Sequence, residues 1–108
     1  MYEMIHQNAV RASRNYRRSE YELLLAIQAV DAKRVYLKVG YRNLYEYCVK
    51  CLFLSEGTTY SIIRVARKSV EIPELQRAIA EGSFTLSHAK TLVSVISKSS
   101  SLPAFSFS

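Results

Sequence analysis

The sequence NLYEYCVKCLFLSEGTTYSIIRVARK, residues 43–68, contains two helix starts separated by a short connection. Asn43 is followed three residues later by Glu46, and Ser55 opens a second segment with an acidic residue beside it. Both patterns are typical of helix N-termini, where a side-chain oxygen accepts from free backbone N–H groups. The spacing predicts one short helix after Asn43 and a second from Ser55 to about Val70.

Two short helices joined by a tight turn are the pattern of a helix-turn-helix, which we expect at about residues 43–70. Apolar side chains must lock such a pair together at a steep angle. The expected inner seam consists of Cys48, Leu52 and Leu54 from the first side and Thr59 with either Ile62 or Ile63 from the second. The sequence does not decide which of these two isoleucines faces the seam.

The outer face of the second helix is predicted to contact DNA. Its members are Ser55, Glu56, Gly57, Tyr60, Ser61, Arg64, Arg67 and Lys68. Ser55 and its backbone N–H groups suit a phosphate, and Gly57 permits a close approach of DNA. An ordinary helical hairpin with a solvated charged face explains the same residues equally well.

Different roles follow from the side-chain chemistry of this face. Tyr60, Ser61 and Arg64 are expected to reach base edges, since arginine is the usual partner of guanine. Arg67 and Lys68 are expected to hold phosphates. The mechanism is therefore phosphate anchoring with major-groove contact to double-stranded DNA.

The chain before this pair also has helical spacing. A capping-box pattern begins at Ser19, with Glu22 at its third helical position, and apolar spacing continues to Leu37 before Gly40 ends the helix. The pattern from Tyr2 to about Arg18 is weaker. Whether the two segments form one long helix or a helix pair is left open.

A second basic patch precedes the Ser19 pattern and consists of Arg11, Arg14, Arg17 and Arg18. These arginines suit phosphates or an acidic partner, although a solvated face is the plainer interpretation. The same helix is long enough to pair with a second copy through Leu23, Ile27 and Val30. Those three residues suit the intramolecular core equally well.

After the pair, Pro73 suits a first helical position and predicts a helix that ends near Gly82. A last helix is expected from about Ser87 to Ile96, and residues 97–108 are expected to form a flexible Ser-rich tail. Strand-like alternation is lacking. The chain is therefore predicted to be an all-α helical bundle, with residues 1–96 as a single module.

Length, charge and cysteine content exclude several classes of protein. The chain has 108 residues, a formal net charge of +6, and two cysteines. No apolar run can span a bilayer and no signal-peptide pattern is present, so we expect a cytoplasmic protein without membrane contact. Cys48 and Cys51 alone cannot complete a zinc site. We expect no metal, no cofactor and no small-molecule substrate.

Several motifs occur in order along the chain: VYLKVGYRNLYEYCV at 35–49, LSEG at 54–57, RVAR at 64–67, IPE at 72–74 and EGSFTLS at 81–87. Together they resemble the region that precedes the nuclease domain in a group of bacterial HNH endonuclease-type proteins, over about residues 19–96. Residues 72–92 are also similar to the helix-turn-helix region of ParB-type partition proteins. Both resemblances imply an all-α, DNA-associated module.

The chain departs from the pattern of the HNH group at named positions. Phe53 stands in the turn where the group generally has Gly, and Ser61 and Ile62 stand where Arg is frequent. Nothing after Ile96 supplies the His general base and metal ligands of an HNH site, so we expect no catalysis. The alternatives are a DNA-targeting fragment of an HNH-type endonuclease and a basic protein-interaction module.

Overall fold

The computed structural model describes residues 1–82, 86 and 88–92. All regular structure within these residues is helical, which confirms the predicted all-α class. The elements are α1 (Tyr2–Lys33), α2 (Val35–Lys38), α3 (Leu44–Glu46) continued by a π-helical turn (Tyr47–Cys51), α4 (Glu56–Glu71) and α5 (Pro73–Glu81). Residues 88–92 are also helical.

Helix α1 is one continuous helix, which decides between the long helix and the helix pair in favour of the long helix; the separate helix start at Ser19 is wrong. The helix begins after Met1 and passes through Ser19 without interruption. The physical reason is that the preceding turn already accepts hydrogen bonds from the N–H groups a cap would serve. A capping pattern is used only where the backbone before it is not helical.

The predicted end of this helix at Gly40 is also wrong. Helix α1 ends at Lys33 because Arg34 adopts a left-handed conformation with φ 52°. After this reversal, α2 forms a single turn that places Tyr36 against the core. Gly40, with φ 99°, then redirects the chain toward α3.

Both predicted caps of the central pair are formed. The Asn43 side chain accepts a hydrogen bond from the backbone N–H of Glu46 at 2.7 Å, and the Glu46 carboxylate accepts one from the backbone N–H of Arg42 at 2.8 Å. The Ser55 hydroxyl accepts from the backbone N–H of Thr58 at 3.1 Å. These bonds satisfy donors that have no intrahelical partner.

The connection between the two helices is tight and contains a strained residue. The backbone N–H of Leu54 donates to the carbonyl of Cys48 at 3.1 Å, which closes the turn. Phe53 lies in this turn with φ 59° and an 85% exposed side chain. The turn therefore keeps a geometry that favours glycine, although a phenylalanine occupies it.

Helix α4 lies at the centre of the fold and packs against α1, α3 and α5. Its buried residues are Thr59, Ile62, Ile63, Val65, Ala66 and Ser69. The sequence left open which of Ile62 and Ile63 faces the core. Both are buried, at 1% and 8% exposure, so both face it. A helix contacted from three directions buries a wider stripe than a helical hairpin requires.

The residues considered for a dimer seam belong to the intramolecular core. Ile27 is fully buried beside Leu24, and Leu23 and Val30 pack against the same cluster. Cys48, from the π-helical turn, is also fully buried there. Pairing of two copies through these three positions is therefore incompatible with the fold.

A glutamine pair ties three helices together. Gln28 of α1 donates to the carbonyl of Ala66 in α4 at 3.0 Å, and the amides of Gln28 and Gln76 exchange hydrogen bonds of 2.7 and 3.1 Å. Because these amides are partly buried, their mutual bonding replaces the water they lose on folding. The pair fixes α5 relative to the other two helices.

The structure confirms the predicted helix that begins at Pro73, and Gly82 ends it with φ 80°. Helical residues 88–92 lie inside the segment predicted as the last helix, with Ala89 fully buried. The remainder of that segment and the Ser-rich tail at 97–108 lie outside the described residues.

Candidate functional site

The predicted contact face lies on the side of α4 opposite the core. Exposed members are Ser55, Glu56, Gly57, Tyr60 and Arg67, and half-buried members are Ser61, Arg64 and Lys68. Positions 56, 60, 64 and 67 recur at helical spacing and form one continuous ridge. The eight residues are thus brought together on one surface.

Tyr60 and Arg64 form the centre of this surface. The Arg64 guanidinium lies 5.2 Å from the centroid of the Tyr60 ring, one helical turn away, in a cation–π contact. Tyr60 is 59% exposed. The contact orients a cation beside an aromatic ring, and both groups are accessible to a ligand.

Arg67, predicted to hold a phosphate, is bound to Asp31 of α1. Its Nε and Nη2 donate to the two carboxylate oxygens of Asp31 at 3.0 and 3.1 Å. Hydrogen bonding to this carboxylate raises the pKa of Arg67. The pair joins α1 to α4, and most of the Arg67 charge is balanced within the protein.

Lys68 also has an acidic neighbour. Its Nζ lies 3.3 Å from the carboxylate of Glu71, whose side chain is 65% exposed. An exposed pair of this kind contributes little to stability, because solvent screens it and two long side chains must be ordered. Lys68 is therefore free to exchange Glu71 for another anion.

The N-terminus of α4 carries an acidic residue of its own. Partial desolvation and the neighbouring Glu56 carboxylate raise the pKa of the Tyr45 hydroxyl in α3. Glu56 also stabilises the positive end of the helix dipole. Asp31 and Glu71 lie nearby, so this surface has three acidic side chains. That number equals its three cations, which are Arg64, Arg67 and Lys68.

A shallow groove of about 590 Å³ runs between α3 and the exposed face of α4. Its walls are Leu44, Tyr45, Tyr60, Ile63, Arg64 and Arg67. Two tyrosines and two guanidinium groups give it both apolar and cationic character. Sequence reasoning missed Asp31 as part of this surface.

The second basic patch lies elsewhere, on a free part of α1. Arg11, Arg14, Arg17 and Arg18 are all exposed, and Arg17 donates to the Ser13 hydroxyl at 2.7 Å. A groove of about 310 Å³ separates three of these arginines from the end of α5. The structure does not join this patch to the α4 face.

The two cysteines form no disulfide with each other. Cys48 is buried, in agreement with its predicted place in the inner seam, and Cys51 is half-buried. Burial raises the pKa of the Cys48 thiol, so it stays protonated and unreactive. Among the described residues, no three His, Cys, Asp or Glu side chains converge in a metal-binding group.

Protein-family models, curated proteins and solved structures provide no match to this chain. In the part of the chain that the structure describes, no helix combines the length and the apolar character needed to cross a bilayer.

Proposed function

We propose that this chain is a non-catalytic DNA-binding module that contacts duplex DNA through the exposed face of α4. One observation carries the proposal: the eight residues of that face share one surface, while the other side of the helix is buried. A capped helix that follows a tight turn and presents polar side chains suits the major groove.

Base contacts are assigned to the centre of the surface. Tyr60 and Ser61 share one turn of α4 and Arg64 lies on the next, and Arg64 carries no carboxylate partner in the described structure. A guanidinium that stacks on an aromatic ring keeps its hydrogen-bond donors free for the O6 and N7 atoms of guanine. The Tyr60 ring then offers apolar contact beside it.

Phosphate contacts are assigned to the margins. Ser55 and Gly57 lie at the N-terminus of α4, where the helix dipole attracts anions, although Glu56 opposes this attraction. Lys68 needs only to leave its exposed pair with Glu71. Arg67 uses Nε and Nη2 for Asp31, which leaves Nη1 to donate to a phosphate.

The resemblance to the region before the nuclease domain of HNH endonuclease-type proteins supports a DNA-targeting role. The ParB-type similarity over residues 72–92 supports it independently. On this proposal the chain binds DNA without cutting it. The alternative, a DNA-targeting fragment of an HNH-type endonuclease, predicts the same surface and the same lack of cleavage.

The test is binding to random duplex DNA over a salt series. Arg64→Ala/Lys68→Ala removes two cations of the surface and leaves the structural Arg67 in place. Binding is expected at about 50 mM salt, with a steep salt dependence that becomes shallower by roughly one to two units of slope in the variant. Lys33→Ala/Lys38→Ala removes the same charge from an exposed region outside the surface and serves as the control.

Two results would overturn the proposal. One is the absence of DNA binding at low salt. The other is equal loss of affinity in both double variants, which would show a response to total charge alone. A plasmid-nicking assay with added divalent metal tests the absence of catalysis, and reproducible cleavage by the pure protein would contradict it.

A second candidate function, a protein-interaction module, is favoured by the charge balance of the surface. Asp31, Glu56 and Glu71 offset its three cations, and the adjoining groove has apolar walls. Nucleic-acid surfaces are usually strongly positive, whereas protein interfaces are mixed. Lack of DNA binding by a well-folded protein would favour this candidate.

A further inference from the structure

The first half of α1 contributes no fully buried side chain to the core. From Tyr2 to Ser19 every side chain is exposed except Val10, which is half-buried. At about 1.5 Å per residue this is roughly 27 Å of helix whose side chains are almost all exposed. Most helical stability in proteins comes from tertiary packing, so a partner along this segment would stabilise it.

An apolar stripe follows this free segment. It consists of Tyr2, Ile5, Ala9, Ala12 and Tyr16, which alternate spacings of three and four residues. This is the heptad spacing of helices that pair along a seam. Tyr2, Ile5 and Tyr16 are 79%, 68% and 65% exposed, so the stripe is unpartnered within the chain.

We infer that this stripe binds the same stripe of a second copy of the chain, with the two helices antiparallel. The inference is independent of DNA binding. It concerns a surface separate from the α4 face and replaces the seam through Leu23, Ile27 and Val30, which the core occupies.

The side-chain sizes fit a twofold axis between residues 9 and 12. In that arrangement the numbers of a residue and of the partner residue that it faces add up to 21. Ala9 then meets the partner's Ala12, which permits close approach at the centre. Ile5 meets the partner's Tyr16 on each side, and Tyr2 reaches the partner's Ser19.

Charge favours the antiparallel orientation over the parallel one. Arg11, Arg14 and Arg18 lie on the side of the helix opposite the stripe. A parallel pair would place all three arginines of both copies at the same levels. The antiparallel pair offsets Arg14 and Arg18 from their counterparts, keeps only the two Arg11 residues near the same level, and brings Arg18 level with the partner's Glu3. Opposed helix dipoles favour the same orientation.

The length of the stripe matches a second copy. The free segment ends at Ser19, and the core begins with Tyr21 and Leu24. An antiparallel partner centred between residues 9 and 12 therefore lies along the stripe, on the side of α1 opposite Arg14 and Arg18, which adjoin the end of α5.

The area is sufficient for a modest dimer. Tyr2 and Tyr16 of the two copies, four tyrosines in all, contribute on the order of 500 Å² of newly buried surface. With Ile5, the alanines and the stems of flanking side chains, the two copies bury about 1,000 Å² in total, near the lower limit of specific interfaces. We therefore expect a reversible dimer whose population depends on concentration.

Sedimentation equilibrium of the full chain tests this inference. Wild type is expected to shift from monomer to dimer as concentration rises. Ala12→Glu places two carboxylates at the seam and is expected to raise the dimer Kd at least about 100-fold, which corresponds to roughly 2.7 kcal/mol. Gln7→Glu adds the same charge away from the stripe and is expected to leave the equilibrium within about threefold, less than 1 kcal/mol. A monomer at all concentrations, or equal effects of both variants, would overturn the inference.

Orientation is tested by oxidative crosslinking of Ile5→Cys/Tyr16→Cys, with the joined peptides identified by mass spectrometry because Cys48 and Cys51 are also present. Bonds between positions 5 and 16 of different copies support the antiparallel pair. Bonds joining 5 to 5 and 16 to 16 would overturn it. Binding of a monomeric wild type to phosphatidylglycerol–phosphatidylcholine vesicles would assign the stripe to a membrane surface and also overturn the inference.

Discussion

Asp31 and Arg67 form a two-bonded ion pair between the end of α1 and the exposed face of α4, with N–O distances of 3.0 and 3.1 Å. The pair lies at the margin of the proposed DNA surface. It therefore connects two properties of the molecule, the packing of α1 on α4 and the number of cations available to a phosphate. A single substitution at Asp31 is therefore expected to change both properties, in opposite directions.

Asp31→Asn is expected to lower stability and strengthen DNA binding. Loss of the pair should cost about 1 kcal/mol of unfolding free energy, because the Arg67 side chain is 55% exposed and solvent screens its charge. The released guanidinium should raise DNA affinity at low salt. Urea denaturation and DNA titration measure the two effects.

The matched control is Glu22→Gln, which removes one negative charge from the exposed side of α1. Equal gains in DNA affinity from both variants would attribute the effect to net charge rather than to release of Arg67. Unchanged stability of Asp31→Asn would mean that the pair does not hold the helices together.

Phe53→Gly is expected to stabilise the protein. Phe53 holds a left-handed conformation, which costs a non-glycine residue roughly 1–2 kcal/mol, and its side chain is 85% exposed, so little packing is lost. Phe53→Ala removes the same ring and keeps the strain. The free energy of unfolding of Phe53→Gly, measured by urea denaturation, should exceed that of Phe53→Ala by about 1 kcal/mol. Equal free energies would contradict the presence of backbone strain at Phe53.

Local signals explain what the sequence could predict. The caps at Asn43 and Ser55 depend on residues three positions away, and Pro73 acts on its own backbone. Each of these predictions is confirmed. The capping box at Ser19 is the same kind of signal, but upstream residues were already helical. Competition between neighbouring segments is not visible in the motif itself.

Non-local contacts explain what the sequence could not predict. Asp31 and Arg67 are 36 residues apart, and nothing near either residue marks the other as its partner. The left-handed Arg34 also lacks a sequence signal, because glycine or asparagine normally marks such a position. The composition of the α4 surface was predictable from helical spacing, whereas its charge balance required the tertiary structure.

Thr59→Val is expected to stabilise the protein by about 1 kcal/mol. Thr59 is fully buried, and its hydroxyl has no hydrogen-bond partner among the described residues. Valine has the same shape and avoids the cost of burying an unpaired hydroxyl. Thr58→Val, one position away and half-buried, controls for the change in helix propensity. A loss of stability in Thr59→Val alone would show that the hydroxyl is bonded.

Glu46 should make the central pair sensitive to acid. The backbone N–H of Arg42 donates to its carboxylate, and Lys50 and the Arg42 side chain add attraction, which lowers the pKa of Glu46 below its usual 4.5. The folded state thus binds a proton more weakly than the unfolded chain. The resulting stabilisation is complete above the unfolded pKa and disappears as pH falls through the folded pKa. Unfolding midpoints measured from pH 7 to pH 3 should therefore decrease more steeply in wild type than in Glu46→Gln. Glu74→Gln, at an exposed position in α5, should keep the wild-type slope; the same slope in all three proteins would exclude this role for Glu46.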